Sequence, residues 1–219
     1  MKRYHTAILI AAIILSTATL LPAQYKTESL GAAPADVPKA VQDLLDTKGT
    51  RVGNDQGATA IEIWLRKSLP ANPSPSNSSD VLYNALSEGG MVGVAHFAEA
   101  GKDYRGQAIK AGFYTLRYFL IPQDGNHMGV NPSRDVLVLC PVAADKDLEK
   151  NLKFDELVNL SRQASGTPHP GFLVMAPVTG DSFPSAVKDD QGHWNLQLKF
   201  HGASGDIPAA VTVVGKWEG

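Results

Sequence analysis

The strongest strand signals in the chain lie in residues 104–141. Two runs rich in β-branched, aromatic and leucine side chains, at 113–121 and 135–142, are separated by a Gly-, Pro- and Asn-containing segment typical of a loop. Just upstream, residues 110–112 predict a tight turn that follows a short strand. Alternate positions of the first run predict one buried face of a central strand, made by Tyr114, Leu116, Tyr118 and Leu120.

Alternation of apolar and polar positions predicts further strands on both sides of this hairpin. They are expected at residues 58–65, 90–97, 172–177, 193–201 and 209–217. In the most regular of them Trp194, Leu196, Leu198 and Phe200 face the core, which places His193 and His201 on a polar face as surface residues.

Helical spacing is confined to three short stretches. Residues 37–46 form an amphipathic pattern that Asp36 can cap, residues 80–86 allow one or two turns, and residues 145–165 contain the best helix. Strands do not alternate with helices in a βαβ rhythm, so the sheet is expected to be antiparallel. The predicted fold is a mainly β, antiparallel β-sandwich with two or three peripheral helices.

The first residues have the form of a secretory signal peptide. Lys2 and Arg3 precede an apolar run at 7–21, and the small Ala23 suits a cleavage site before Gln24. We therefore predict a signal peptide at 1–23, a lead-in with a short helix at 24–49, of which 24–36 is assigned no structure, and a single β-sandwich domain at 50–219. An uncleaved membrane anchor is the alternative. The expected location is periplasmic or extracellular.

The net charge argues against two classes of partner, and the cysteine content argues against a disulfide. The formal net charge is −2 and basic residues do not cluster, so neither nucleic acid nor, beyond the export signal, a membrane is an expected partner. Cys140 is the single cysteine and lies in an apolar run, which indicates a buried residue and excludes an internal disulfide.

One hairpin motif supports a family resemblance. Residues 110–116, reading K-A-G-x-Y-T-L, with DYRGQ at 103–107 upstream, resemble a hairpin of uncharacterised exported bacterial proteins that share a β-sandwich domain of unknown function. The pattern Trp194-x-Leu196-x-Leu198 and residues 207–215 are similar to the closing strands of such proteins. The resemblance implies the fold and export, and it transfers no catalytic residue.

Metal binding is a hypothesis because histidines recur beyond the leader. His193 and His201 lie roughly 27 Å apart on one strand at about 3.4 Å per residue, so they cannot share an ion. The weak candidates are His96, His127 and His169, brought together from three segments, although ordinary hydrogen-bonded histidines are the preferred explanation. No metal or other cofactor is predicted.

Calcium binding and hydrolysis have partial patterns only. Asp124, Asn126 and Asp135 are spaced like ligands of an EF-hand loop, but Met128 stands where an oxygen ligand is needed. A Gly-x-Ser-x-Gly nucleophile motif is absent from the sequence. Glu62, Asp103, Asp124 and Asp135 could supply paired carboxylates, whose separation the sequence does not give. Enzyme activity is therefore left open, with a non-catalytic protein preferred.

Two loops carry polar groups that a core does not need, at 122–134 and 166–171. The predicted site residues for a ligand or partner are Asp124, Asn126, His127, Arg134 and His169. The preferred function is a non-catalytic binding or interaction module of the cell envelope, with an unidentified protein or small molecule as partner. The alternative function is a small extracytoplasmic metal-binding protein or hydrolase. The loop at 122–134 also has a purely structural explanation, in which it only connects two strands and Arg134 and Asp135 face water.

Overall fold

Twelve strands and two helices make up the fold, seen in a computed structural model that describes residues 23–124 and 131–216. In chain order they are β1 (Tyr25–Leu30), α1 (Lys39–Gln42), β2 (Gly49–Asn54), β3 (Thr59–Leu65), β4 (Met91–Phe97), β5 (Gly101–Lys102), β6 (Ala108–Ile109), β7 (Gly112–Leu120), β8 (Asp135–Pro141), α2 (Phe154–Ser165), β9 (Phe172–Ala176), β10 (Ser185–Lys188), β11 (Trp194–Gly202) and β12 (Gly205–Val214).

Ten of the strands form one antiparallel sheet in the order β1-β2-β3-β4-β7-β8-β9-β12-β11-β10. Its two ends approach each other, since the Thr27 hydroxyl donates to the Pro184 carbonyl at 3.4 Å and the Tyr25 and Trp194 rings lie 5.5 Å apart. The sheet is therefore nearly closed around its core. β5 and β6 form a separate two-stranded sheet.

The prediction of a mainly antiparallel β fold is confirmed, whereas the two facing sheets of a sandwich are not. β9 joins β12 through the pairs Ala176↔Ala210 and Met175↔Val211, so the two halves are one continuous sheet. Alternation along a strand reports which side chains face inward. It does not report whether the next strand extends the same sheet or begins another.

The core lies inside this curved sheet. Tyr114, Leu116, Tyr118 and Leu120 on β7 are 0–6% exposed and belong to the largest apolar cluster, so the predicted face is confirmed. Leu196, Leu198 and Phe200 of β11 join the same cluster from the other half of the sheet.

Both helices pack on the outer face of the sheet. α1 and the residues around it contribute Val37, Val41 and Leu45 to a cluster with Trp64 and Met91. The second cluster joins α2 to β8 and β9 through Val136, Val138, Cys140, Leu157, Phe172 and Val174. Because α2 covers it, β8 is buried on both faces.

Cys140 is fully buried, as predicted. Burial raises the pKa of its thiol to about 12, with a smaller contribution from the Asp145 carboxylate. A neutral thiol is a poor nucleophile and metal ligand, so Cys140 serves the core.

Several local predictions are wrong. Residues 24–36, which the sequence left without structure, contain β1. The helix predicted at 37–46 is a single turn, Lys39–Gln42, and α2 begins only at Phe154. Residues 80–86 form turns and no helix, because the buried Asp135 carboxylate accepts the backbone N–H groups of Leu82 and Tyr83 at 3.0 and 2.9 Å.

The predicted leader lies almost wholly outside the described residues. Within the ranges that are described, no helix is long and apolar enough to cross a membrane.

Candidate ligand-binding groove

An apolar groove of about 350 Å³ lies between α2 and the outer face of β7, β8 and β9. This volume is near the small end of the roughly 300–1,000 Å³ typical of ligand sites in proteins. Most of the lining side chains are aliphatic, aromatic or proline: Phe119, Ile121, Pro122, Val136, Val138, Phe154, Leu157, Val158, Pro168, Pro170 and Phe172.

Helix α2 forms one wall, and both of its ends are held in place. At its start the Lys153 backbone N–H donates to the Glu156 carboxylate at 2.8 Å, and hydrogen bonding from Lys150 lowers the pKa of Glu156. At its end Gly166 adopts the left-handed conformation, with φ 71°, which a glycine accepts without strain. The groove is thus bounded by a helix of defined length.

The segment after α2 is pinned to the helix. The buried Ser161 hydroxyl donates to the Gly171 carbonyl at 3.0 Å and accepts the Gly171 N–H at 2.9 Å. Residues 168–170 are thereby held at the open side of the groove, where Pro168, His169 and Pro170 line it.

The turn at 103–107 closes one end of the groove. Asp103 is 1% exposed and accepts the Arg105 and Gln107 backbone N–H groups at 3.0 and 2.9 Å. The Arg105 Nη2 donates to Asp103 at 2.9 Å and to the Pro170 carbonyl at 2.6 Å, and the guanidinium lies 4.2 Å from the Phe172 ring centroid. Arg105 is therefore fixed, and a neighbouring carboxylate balances its charge.

Arg162 is bound differently. Its Nε donates to the Pro168 carbonyl at 2.7 Å and its Nη1 to the Asn159 side chain at 3.3 Å. The residue is exposed, and in the described ranges no carboxylate pairs with it. Arg162 thus adds to the lining of the groove a guanidinium with N–H donors that no described residue accepts.

His169 also lines the groove and is exposed. Its backbone N–H donates to the Thr167 hydroxyl at 3.1 Å and its carbonyl accepts from Ser165 at 2.7 Å, so the main chain holds the residue in place. The polar side chains around the groove are Arg105, Arg162 and His169, and within the described part of the chain no carboxylate lines it.

An aromatic side chain marks the surface of the groove. Phe154 is 38% exposed, and only Leu82 among the large hydrophobic residues of the described ranges is also exposed. The Phe154 ring lies 5.6 Å from the ring of Phe119 inside the groove. An apolar ligand would extend this contact.

The loop at 122–134, predicted from the sequence as a contact surface, contributes to the groove mainly where the chain leaves β7. Ile121 and Pro122 line the groove. Arg134 donates to the Ile121 carbonyl at 3.0 Å and pairs with Asp80 at 3.1 Å, so it closes the base of the loop. Asp124 is the last described residue before the gap and does not line the groove, and Asn126 and His127 lie outside the described residues. Of the predicted site residues that the structure describes, His169 lines the groove.

Of the predicted histidine set, His96 contacts Glu62 and Phe113, whereas His169 lines the groove. The His96 Nδ1 lies 2.7 Å from Glu62, and its ring stacks on Phe113 with centroids 4.0 Å apart. Burial acts to raise the pKa of Glu62, but hydrogen bonds from His96 and Arg51 outweigh it and the pKa is lowered. The described ranges hold no group of three or more His, Cys, Asp or Glu residues that could bind a metal, and His127 lies outside them.

Two further expectations about polar residues are corrected. His193 is 7% exposed and not a surface residue: its Nδ1 lies 3.1 Å from Asp189 and its Nε2 lies 3.1 Å from the Lys216 carbonyl.

Asp135 is fully buried, accepting the Tyr118 hydroxyl at 2.7 Å as well as two backbone N–H groups. It neither faces water nor is available as a calcium ligand.

Sequence reasoning missed Arg105, Arg162 and the groove itself. Part of the signal was present, because Phe154, Val158 and Arg162 are spaced four residues apart and share one side of α2. A basic residue in the last turn of an amphipathic helix is also favoured by the helix dipole, so this pattern alone did not identify a site.

The chain matches no protein-family model, no curated protein and no solved structure. The groove is therefore the basis for a proposed function.

Proposed function

We propose that this chain is an exported, non-catalytic binding protein whose groove between α2 and the sheet takes a small, largely apolar molecule. The observation that carries the proposal is a groove of about 350 Å³ whose polar lining side chains, among the described residues, are all basic and whose apolar lining includes the exposed Phe154. Small-molecule sites have this composition, with an apolar lining and a few polar groups that orient the ligand.

Binding suits these groups better than catalysis does. A general base acts on a proton within about 2.6–3.2 Å and is usually oriented by a second polar group. His169 lines the groove beside prolines and an arginine, and no serine, threonine, cysteine or carboxylate joins it among the described lining residues. We infer that the site holds its ligand without transforming it.

Export is supported by the position of β1 as well as by the leader. Tyr25 begins β1 directly after Gln24, whose carbonyl accepts the Asp55 N–H at 3.0 Å. Cleavage after Ala23 would therefore leave the whole strand in the sheet. N-terminal sequencing of the exported protein should return Gln24, and material that begins at Met1 would contradict the proposal. The resemblance to exported proteins through the hairpin at 110–116 agrees with it.

Occupancy of the groove can be tested with a neutral apolar probe. N-phenyl-1-naphthylamine should gain fluorescence on binding the wild-type protein, and Val158→Trp should abolish the gain because the larger side chain fills the groove. Val187→Trp on β10 is the matched control, since it makes the same substitution at a half-buried residue away from the groove, and should keep the signal. Equal signals from the two variants, or no signal from the wild type, would refute the groove as the site.

A further inference from the structure

The two arginines at the groove differ in a way that specifies the ligand. We propose that the ligand is a small amphipathic carboxylic acid, with its apolar body between α2 and the sheet and its carboxylate on Arg162. The inference rests on the proposed binding function and adds the chemical class of the ligand.

Arg105 is an unsuitable anchor for an anion. Asp103 lies 2.9 Å from its Nη2, the Pro170 carbonyl accepts from the same nitrogen, and the Phe172 ring covers its face. An added anion at this guanidinium would compete with a buried carboxylate that is already bound. Arg105 therefore shapes one end of the groove.

Arg162 has the donors that a carboxylate needs. A guanidinium carries five N–H donors, and the protein acceptors of Arg162 in the described ranges are the Pro168 carbonyl and the Asn159 amide oxygen. The planar fork of a guanidinium binds a carboxylate through two parallel hydrogen bonds. His169 on the same rim can add a third donor.

One effect opposes this arrangement. Arg162 lies in the last turn of α2, where the helix macrodipole disfavours an anion. The Arg162 carbonyl accepts the Gly166 N–H at 2.8 Å, so one of the carbonyls at this end is already paired. A direct charge-assisted contact with the guanidinium is stronger than the remaining effect of the dipole.

The lining also selects against other head groups. A cationic ligand would meet Arg105, Arg162 and His169 without a lining carboxylate in the described part of the chain. A neutral ligand would leave the spare donors of Arg162 to water. The volume of about 350 Å³ suits one aryl ring or one medium-length acyl chain better than a lipid with two chains.

Isothermal titration with three probes of the same chain length isolates the head group. Octanoate should bind wild-type protein at pH 7 at least about tenfold more tightly than octanamide, and octylamine more weakly than either. Arg162→Gln should remove the preference for octanoate while leaving the affinity for octanamide unchanged. Lys188→Gln, which removes an exposed positive charge on β10, should keep the preference.

The failures of the two proposals are distinguishable. If octanoate and octanamide bind equally to the wild type, or if Arg162→Gln keeps the preference, the carboxylate inference is wrong and the groove remains a ligand site. If none of the probes binds and Val158→Trp dissociates a dimer seen by sedimentation, the groove is an interface between two copies and both proposals are overturned. A melting temperature of Arg162→Gln close to that of the wild type shows that the variant is folded.

Discussion

Two arginines, Arg117 on β7 and Arg162 on α2, show how the same side chain can serve the scaffold or a site. The Arg117 side chain is fully buried and contacts both oxygens of Asp145, at 2.7 and 2.8 Å. It also donates to the carbonyls of Gly89, Asp147 and Lys150. Arg162 is exposed and keeps donors unused within the described ranges.

Every polar side-chain atom of the buried Arg117–Asp145 pair has a hydrogen-bond partner. Thr115 donates to Asp145 at 2.5 Å, so two side chains of β7, Thr115 and Arg117, hold the carboxylate. The guanidinium also binds backbone carbonyls of the segments that precede and follow β7 in the chain. Removing two charges from water is costly, and hydrogen bonds to every polar atom offset that cost. A saturated arginine stabilises a fold, whereas an arginine with open donors beside an apolar groove is available to a ligand.

Disruption of the saturated pair should produce the largest effect. In Asp145→Asn the Arg117 guanidinium stays buried without a counter-charge, and we expect a loss of about 3–5 kcal/mol in the free energy of unfolding. Urea denaturation measures it. Asp190→Asn removes an exposed carboxylate and should be nearly neutral. A loss below about 1 kcal/mol for Asp145→Asn would show that the pair is not essential to the scaffold.

An apolar position on the same strand tests whether β7 is central. Leu116 is fully buried in the largest apolar cluster, and Leu116→Ala should cost about 2–5 kcal/mol through lost burial and the cavity that remains. Lys199→Ala on β11 should stay within about 0.5 kcal/mol. Similar losses in denaturant titrations of the two variants would contradict the described burial.

A partly buried carboxylate on the outer face should give an intermediate effect that depends on pH. Because the pKa of Glu62 is lowered in the folded state, its contribution to stability is present above its unfolded pKa of about 4.3 and is lost as the pH falls through the folded value. Glu62→Gln should therefore lose less stability than the wild type between neutral and strongly acidic pH. Thermal melts at several pH values measure this, with the exposed Glu99→Gln expected to follow the wild type. Parallel curves for Glu62→Gln and wild type would exclude the role.

The open arginine should show the smallest effect on stability. Arg162→Gln removes two surface hydrogen bonds that the guanidinium donates to neutral acceptors, Pro168 and Asn159, and should change the free energy of unfolding by less than about 0.5 kcal/mol, while it removes the preference for octanoate. Scanning calorimetry measures the stability, and titration calorimetry of the same sample measures the preference for octanoate. A variant that unfolds as readily as Asp145→Asn would place Arg162 in the scaffold and end the contrast between the two arginines.

Prediction from sequence succeeded where one segment carries its own pattern. The alternation of β7, the apolar run of β8 and the periodicity of α2 are each legible in a short window, and the burial of Cys140 follows from its neighbours. β1 failed because its exposed and half-buried residues make no apolar face, and its pairing with β2 supplies what its own sequence lacks. β10 was missed for the same reason. β2 was missed although it is mostly buried, because Val52 is the one large apolar residue among its buried positions, which are otherwise glycine and threonine.

The candidate site was predicted only in part. His169 and the two loops were singled out because polar groups and glycines cluster there, and Pro122 of the first loop and residues 168–170 of the second do line the groove. Arg105 and Asp103 were visible only as parts of a hairpin motif and a carboxylate set. Their joint role depends on Pro170, which is distant in sequence and becomes a neighbour only through folding.

The sequence by itself determined the antiparallel β class, the inward face of the central strands and the position of the long helix, because side-chain periodicity is a local property of the chain. The tertiary structure alone decided that β9 and β12 join two halves into one nearly closed sheet. It also decided that Asp135 is saturated by Leu82, Tyr83 and Tyr118. The same holds for Arg162, which lines an apolar groove and keeps donors that no described residue accepts. These are contacts between distant segments, and their geometry depends on packing, which local patterns do not encode.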